Sequence, residues 1–170
     1  MLKIILSILL FCSISLGGDV LPAGSEAPDF TLIGAGGQMH QLTSYRGKKV
    51  VLYFYPKNNT PGCTSEACNL RDNFDVLQEI GIVVLGVSYD SPESHKKFRK
   101  KHSLPFTLLS DRDKKVAGMY GTKGGVLGFM GAKRITYLID EQGIIMHRFD
   151  KVDSANHARQ ILYVLEETDN

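Results

Sequence analysis

Two cysteines five positions apart, Cys63 and Cys68, are the residues of this chain best suited to nucleophilic or redox chemistry. They lie in the stretch "YFYPKNNTPGCTSEACNLRD", residues 53–72. An apolar run ends at Tyr55-Pro56 and a polar loop follows. Thr60 then suits a helix N-cap and Pro61 the first helical position, which puts Cys63 in the first turn. A sulfur there sits beside free backbone N–H groups and the positive end of the helix dipole. Both favour thiolate over thiol, and the thiolate is the reactive form. Cys68 falls in the same expected helix. An ideal helix holds residues i and i+5 about 8–9 Å apart at their α-carbons, whereas a disulfide accepts only about 4.4–6.8 Å. Either the pair never bonds, or the helix opens locally when it does. The plainer reading is two thiols that merely pack, but a helix mouth after Pro-Gly is a poor place to bury a small hydrophobe.

The elements that must position this pair can be read around it. Val50 to Tyr55 is a buried strand. Helical periodicity runs from after Gly62 to about Ile80, with Ala67, Leu70, Phe74 and Leu77 on one face, and Gly81 stops it. Ile82 to Ser88 is a second buried strand, Pro92 opens a helix to about His102, Thr107 to Leu109 is a short strand, and Asp113 to Tyr120 a short helix. Ahead of them, Phe30 to Leu32 and Met39 to Leu42 flank a glycine-rich turn as a hairpin. Gly121 to Gly131 reads as a loop that gives mobility near the cysteines. Arg134 to Ile139 and Ile144 to Phe149 form a hairpin around "DEQG". Ser154 suits the cap of a last helix to about Glu167. Strands that first alternate with helices and then close in an antiparallel hairpin predict an α/β fold, a three-layer sandwich with a mixed central β-sheet in one domain.

Composition sets further limits. The chain has 170 residues, 43% hydrophobic and 22% charged, with a formal net charge of +2. That is ordinary for one globular domain and far from the basic bias of a nucleic-acid binder. The glycine-rich segments do not form a nucleotide-binding fingerprint after a strand. Residues 1–17 stand apart: Lys3 precedes an almost wholly apolar run from Ile4 to Leu16, and Ser15-Leu16-Gly17 supplies small residues at a cleavage site. They read as a secretory signal peptide cut near Gly17 or Gly18, with residues 18–170 as the mature domain. The run is short for a bilayer span, so the alternative is an uncleaved anchor. Cys12 lies within it as a small apolar residue. The expectation is export to a bacterial periplasm, an oxidising compartment.

The cysteine stretch resembles the active-site signature of the peroxiredoxins, in which Pro56, Thr60 and Cys63 match the spaced proline, threonine and cysteine. The fuller string is similar to the bacterioferritin comigratory protein, or peroxiredoxin Q, subfamily, where a second cysteine follows five residues after the first. "GSEAPDFTL", "VLGVSYDSPESHKKF" and "RITYLIDEQG" extend the likeness over nearly the whole mature chain. The resemblance implies a thioredoxin-like fold and reduction of hydrogen peroxide or organic hydroperoxides; nothing in the sequence pattern demands a dimer, so the expected state is a monomer or weak dimer. It implies Cys63 as the peroxidatic nucleophile, Cys68 as the resolving thiol, Thr60 as the group that orients the peroxide, Pro56 as a shield against water, and Arg134 as a positive charge reaching the cysteine. The oxidised pair would be recycled by a thioredoxin-like dithiol, and no metal, flavin or haem is required. Asn58-Asn59 stands where the subfamily often has acidic residues, which predicts a less negative site mouth.

Two other readings compete. Exported thioredoxin-like copper chaperones also carry a cysteine pair after the first strand, and general dithiol oxidoreductases carry two, but both use shorter spacings without the threonine-proline signature. His40, His95, His102, His147 and His157 form no tight ligand spacing. His95 and His102 lie on the basic stretch "HKKFRKKH", read as a solvated face, with docking to a membrane or acidic partner as the sharper alternative. Asn58-Asn59-Thr60 is formally a glycosylation sequon and is discounted. Glu66, one turn after Cys63, is placed either against Arg134 or facing solvent.

Overall fold

The computed structural model describes residues 19–124 and 131–168. The expected signal segment, Cys12, and the middle of the Gly121–Gly131 loop lie outside the described residues. The elements run β1 (Thr31–Gly34), β2 (Met39–Gln41), a 3-10 turn (Leu42–Tyr45), β3 (Val50–Phe54), α1 (Pro61–Asp72), α2 (Phe74–Glu79), β4 (Val83–Ser88), α3 (Pro92–His102), β5 (Thr107–Ser110), α4 (Lys115–Met119), β6 (Ile135–Ile139), β7 (Ile145–Phe149) and α5 (His157–Thr168). The strands form one sheet in the order β2-β1-β5-β4-β3-β6-β7. β3–β4 and β4–β5 pair in parallel, and the other neighbours pair antiparallel. This is the mixed-sheet sandwich that the order of elements predicts.

β3 explains the three layers. All five of its residues are buried, and successive side chains must point to opposite faces. Val50, Leu52 and Phe54 join one apolar cluster with Phe30, Val116, Tyr120 and Tyr137. Val51, Tyr53 and Tyr55 join the other, which α1, α2, α3 and α5 cover through Cys63, Leu70, Leu77, Phe98 and Ile161. Burial of each large side chain contributes roughly 1.5–3 kcal/mol. The packing is tight at the central strands: a Cβ on Gly86 of β4 would lie 2.6 Å from the Tyr53 ring and 2.7 Å from the Leu108 side chain.

Most element boundaries fall within two residues of the expectation, and two differences in the helices have a clear cause. The helix expected to run to Ile80 is broken at Asn73, whose backbone leaves the helical region (φ −112°, ψ 12°). Asn73 Nδ2 donates to the Asn69 carbonyl at 2.8 Å, taking the acceptor that its own backbone N–H would use in a continuous helix. The last helix begins at His157 rather than after Ser154. Asp153 holds the preceding segment in a turn: its carboxylate accepts from the Ala155 backbone N–H and the Asn156 amide, each at 3.0 Å, and its carbonyl accepts from Asn156 N. The "DEQG" turn is as expected, with Asp140 Oδ1 accepting from the backbones of Gln142 and Ile144 and Gly143 at φ +80°.

Candidate active site

α1 starts where the sequence places it. Thr60 is the N-cap residue in an extended conformation, and Pro61 opens the helix. The Thr60 hydroxyl does not cap the helix: it donates to the Lys57 carbonyl at 3.1 Å. The N–H groups of the first turn therefore lack a side-chain cap, and helix geometry gives them no acceptor within α1. Cys63 lies in this turn and is 1% exposed. Both Cys63 and Cys68 are free thiols, and α1 is continuous through Cys68, as the helix geometry requires of an unbonded pair.

Arg134 stands one residue before β6. The β3–β6 register, Phe54 against Ile135, brings it beside the end of β3 from which the Cys63 loop departs. Its Nη2 donates to Cys63 Sγ at 3.2 Å, and its Nη1 to the Glu66 carboxylate. The absence of a side chain at Gly62 makes room for it, since a Cβ there would lie 3.2 Å from Nη2. Pro56 is half-buried, with the backbone of Gly131 packed against it; Gly131 is at φ +77°, and a Cβ there would come within 2.4 Å of the Pro56 carbonyl oxygen. Thr60, Cys63 and Arg134 thus gather at one end of the sheet, and Pro56 closes the loop beside them.

Glu66 is not the solvent-facing acid of the alternative reading: it is fully buried. Burial pushes its carboxyl up to about 7, against the pull of Arg134. Burial opposes the charge on Arg134, yet Glu66 and Cys63 more than offset it and hold the guanidinium charged. Beneath Glu66 lies His157, also fully buried. Its Nδ1 donates to Gln160 Oε1 at 3.2 Å, which leaves Nε2 to accept the Thr136 hydroxyl at 2.9 Å. Nε2 is also 3.9 Å from Glu66 Oε1, so with this tautomer no N–H from the imidazole supports the carboxylate.

The structure corrects two expectations about polar residues. His95 is buried, not on a solvated face, and Asn58 is buried rather than lining the site mouth. Tyr55 donates its hydroxyl to Asn58 Oδ1 at 2.8 Å, and Asn58 Nδ2 reaches Ser94 Oγ at 2.9 Å and His95 Nδ1 at 3.2 Å. His95 Nε2 donates to the Leu109 carbonyl at 3.1 Å, and Asp90 accepts from Asn58 N at 2.9 Å. This network pins the loop before α1 to α3 and β5. It also leaves no room for a glycan on Asn58. A signal for it existed in the sequence: His95, Phe98 and His102 recur at helical spacing on one face. The Cys68 sulfur lies against His102, 3.9 Å from Nδ1. Among the described residues no group of three or more His, Cys, Asp or Glu side chains is placed to hold a metal ion.

The family follows from comparison with known proteins. The AhpC/TSA family model matches residues 23–148, and the chain belongs to that family. Its relatives place it among the bacterioferritin comigratory, or peroxiredoxin Q, proteins, which are thiol-dependent peroxidases, and this chain is one of that class. A putative peroxiredoxin bcp of Coxiella burnetii is 45% identical over 146 residues, 84% of this chain and 97% of that one. The fold matches the crystal structure of peroxidoxin BcpB from Mycobacterium tuberculosis at a TM-score of 0.80 and 33% identity, covering 85% of this chain and 96% of that one. It also matches Xanthomonas campestris bacterioferritin comigratory protein at a TM-score of 0.80 and 30% identity, over 88% and 100% of the two chains. The thioredoxin-like peroxiredoxin fold is therefore the one the chain adopts, and the copper-chaperone alternative is not favoured.

The buried carboxyl sets a pH dependence. With a folded value near 7 and an ordinary value of 4.5, Glu66 keeps a proton in the folded chain that the unfolded chain has released. Stability from this group is therefore lost as pH rises from about 4.5 through about 7. Burial pulls His95 and His157 down from 6.5 to about 4, which imposes the opposite trend, so the informative quantity is the difference between parent and variant. Urea denaturation of Glu66→Gln beside the parent is expected to show that difference moving in the variant's favour by on the order of 2–3 kcal/mol across this range. A difference independent of pH would contradict the assignment.

Proposed function

We propose that Cys63 is the peroxidatic nucleophile and Cys68 the thiol that resolves it. The observation that carries this reading is Arg134 Nη2 at 3.2 Å from a cysteine sulfur at an uncapped helix mouth. The thiolate attacks one peroxide oxygen, the O–O bond breaks, and negative charge builds on the departing oxygen. Arg134 and the first-turn N–H groups stabilise that charge. Thr60 spends its proton on Lys57, so its oxygen lone pairs remain to accept the O–H of a hydroperoxide. Pro56, backed by Gly131, keeps water from that side of the sulfur. The X. campestris relative is described with alkyl peroxide reduction activity, which supports organic hydroperoxides as substrates beside hydrogen peroxide.

The product, Cys63–SOH, condenses with Cys68 to a disulfide and water. The helix must open for that bond, since its α-carbons start about 8–9 Å apart. A thioredoxin-like dithiol then reduces the disulfide by exchange. Among the described residues, the exposed large apolar side chains are Met39, Met119 and Tyr163 on separate elements and the pair Val76 and Ile80 on α2, which supports a monomer or weak dimer.

Export is part of the same proposal. Its support is the apolar segment after Lys3, together with a family match that begins only at residue 23. An exported reductant, rather than a cytoplasmic one, would then recycle the enzyme.

One experiment tests the two cysteine roles. Reduced protein is mixed with one equivalent of hydrogen peroxide and followed by intact mass. The parent is expected to lose two hydrogens rapidly, Cys68→Ser to stop at a trapped sulfenic acid on Cys63, and Cys63→Ser not to react. A parent no faster than a free thiol would refute the reading. The same masses, taken from protein secreted by a bacterial host, are expected to begin near Gly18; an intact Met1 on that protein would refute cleavage.

A further inference from the structure

Cys68 is already engaged in the reduced fold. Its sulfur faces Nδ1 of His102, the last residue of α3, at 3.9 Å. Arg71, one turn further along α1, donates Nη1–H to the His102 carbonyl at 2.8 Å, and its charge acts on the Cys68 sulfur. The His102 ring stands edge-on to the buried Phe98 ring, with centroids 4.9 Å apart at 67°. Its Nε2 is buried and has no hydrogen-bond partner among the described residues. With the ring proton on Nε2, the Nδ1 lone pair faces the thiol.

We propose that His102 is the proton acceptor for Cys68 in disulfide formation, that Arg71 steadies the resulting thiolate, and that the α1–α3 contact holds Cys68 still while Cys63 moves to it. The inference rests on the reading of Cys68 as the resolving thiol. The step balances. The Cys68 S–H proton passes to Nδ1, and the thiolate attacks the sulfur of Cys63–SOH. An S–S bond forms, the S–O bond breaks, and hydroxide leaves to recover the proton as water. Cys68 sulfur is oxidised as Cys63 sulfur is reduced, with the oxidising equivalent already supplied by the peroxide.

The two ends of α1 are anchored unequally, and this decides which cysteine moves. Beyond Cys68, Leu70 is fully buried and Arg71 ties α1 to α3. Asn69 ties it to α5 and its lead-in, donating to the Ala155 carbonyl and accepting from Ala158 N, each at 2.8 Å. The first turn has no side-chain cap. Opening it carries Cys63 along and leaves Cys68 beside its base. The charged groups around the pair are Arg71, its ion-pair partner Asp72 at 2.7 Å, and Lys101 on α3. Burial, and then the charges of Lys101 and Arg71, lower the affinity of His102 for a second proton. The ring is therefore neutral and able to accept at pH 7.

The test separates the two chemical steps. Reduced mature protein, residues 18–170, is mixed with one equivalent of hydrogen peroxide between pH 6 and 9, quenched at intervals with a sulfenic-acid trap, and weighed. His102→Asn keeps an acceptor near the Nδ1 position but removes the base; His102→Gln, run beside it, serves should the asparagine variant not fold. The expected result is accumulation of Cys63–SOH, with the disulfide forming on the order of 10²-fold more slowly than in the parent near pH 6.5. The gap closes toward pH 9, where hydroxide from solvent takes over the role of the base. Disulfide formation as in the parent, or a delay equal at every pH, overturns the assignment. Cys68→Ser is measured in parallel: turnover of that variant like the parent would defeat the resolving role itself, a failure distinct from that of His102.

Discussion

One guanidinium joins the parts of this active site. Arg134 donates to the Cys63 sulfur with one nitrogen and to the buried Glu66 carboxylate with the other. Removal of one member of a buried ion pair typically costs 3–5 kcal/mol, because the partner charge is left without compensation. The surrounding structure serves this contact. The β3–β6 register sets Arg134 beside the end of β3, Pro61 starts α1 so that Cys63 and Glu66 fall one turn apart, and Gly62 leaves the space the guanidinium occupies. The buried carboxyl gives Arg134 a second partner on α1, which orients the guanidinium toward the sulfur while the helix is intact.

On the proposed reading of the two cysteines, the same helix serves two steps that ask opposite things of it. The first requires an intact N-terminal turn, with its N–H groups and dipole directed at the sulfur. The second requires that turn to open, because an intact α-helix holds Cys63 and Cys68 too far apart to bond. The anchoring of α1 reconciles them. Its later half is tied to α3 and α5 by Arg71 and Asn69. The loop before it is pinned through Asn58 and His95. On that reading, only the segment between these anchors has to give way for the disulfide to form, and the sheet and its two cores stay in place.

Much of this was legible from local signals. Thr60-Pro61 marked the start of α1 and so placed Cys63 at the helix mouth, and the apolar runs marked β3 and β4. What was missed depends on residues distant in the chain. Asn58 and His95 read as surface polar residues because their partners, each other and the Leu109 carbonyl, come together only in the folded sheet. The break at Asn73 and the late start of α5 come from side chains that compete for backbone hydrogen bonds, which a hydrophobic period does not register. Arg134 lies 71 residues from Cys63 and could be linked to it only through family resemblance. A separation of 34 residues likewise concealed the contact between Cys68 and His102.

The central claim is that Arg134 stabilises the negative charge that develops as Cys63 attacks a peroxide. Its most direct test is the second-order rate constant for sulfenic acid formation on the reduced protein, measured for the parent and for Arg134→Met under identical conditions. The account predicts a fall of about 10²–10³-fold, the usual cost of removing a preorganised donor to developing negative charge. A variant within about twofold of the parent would contradict it.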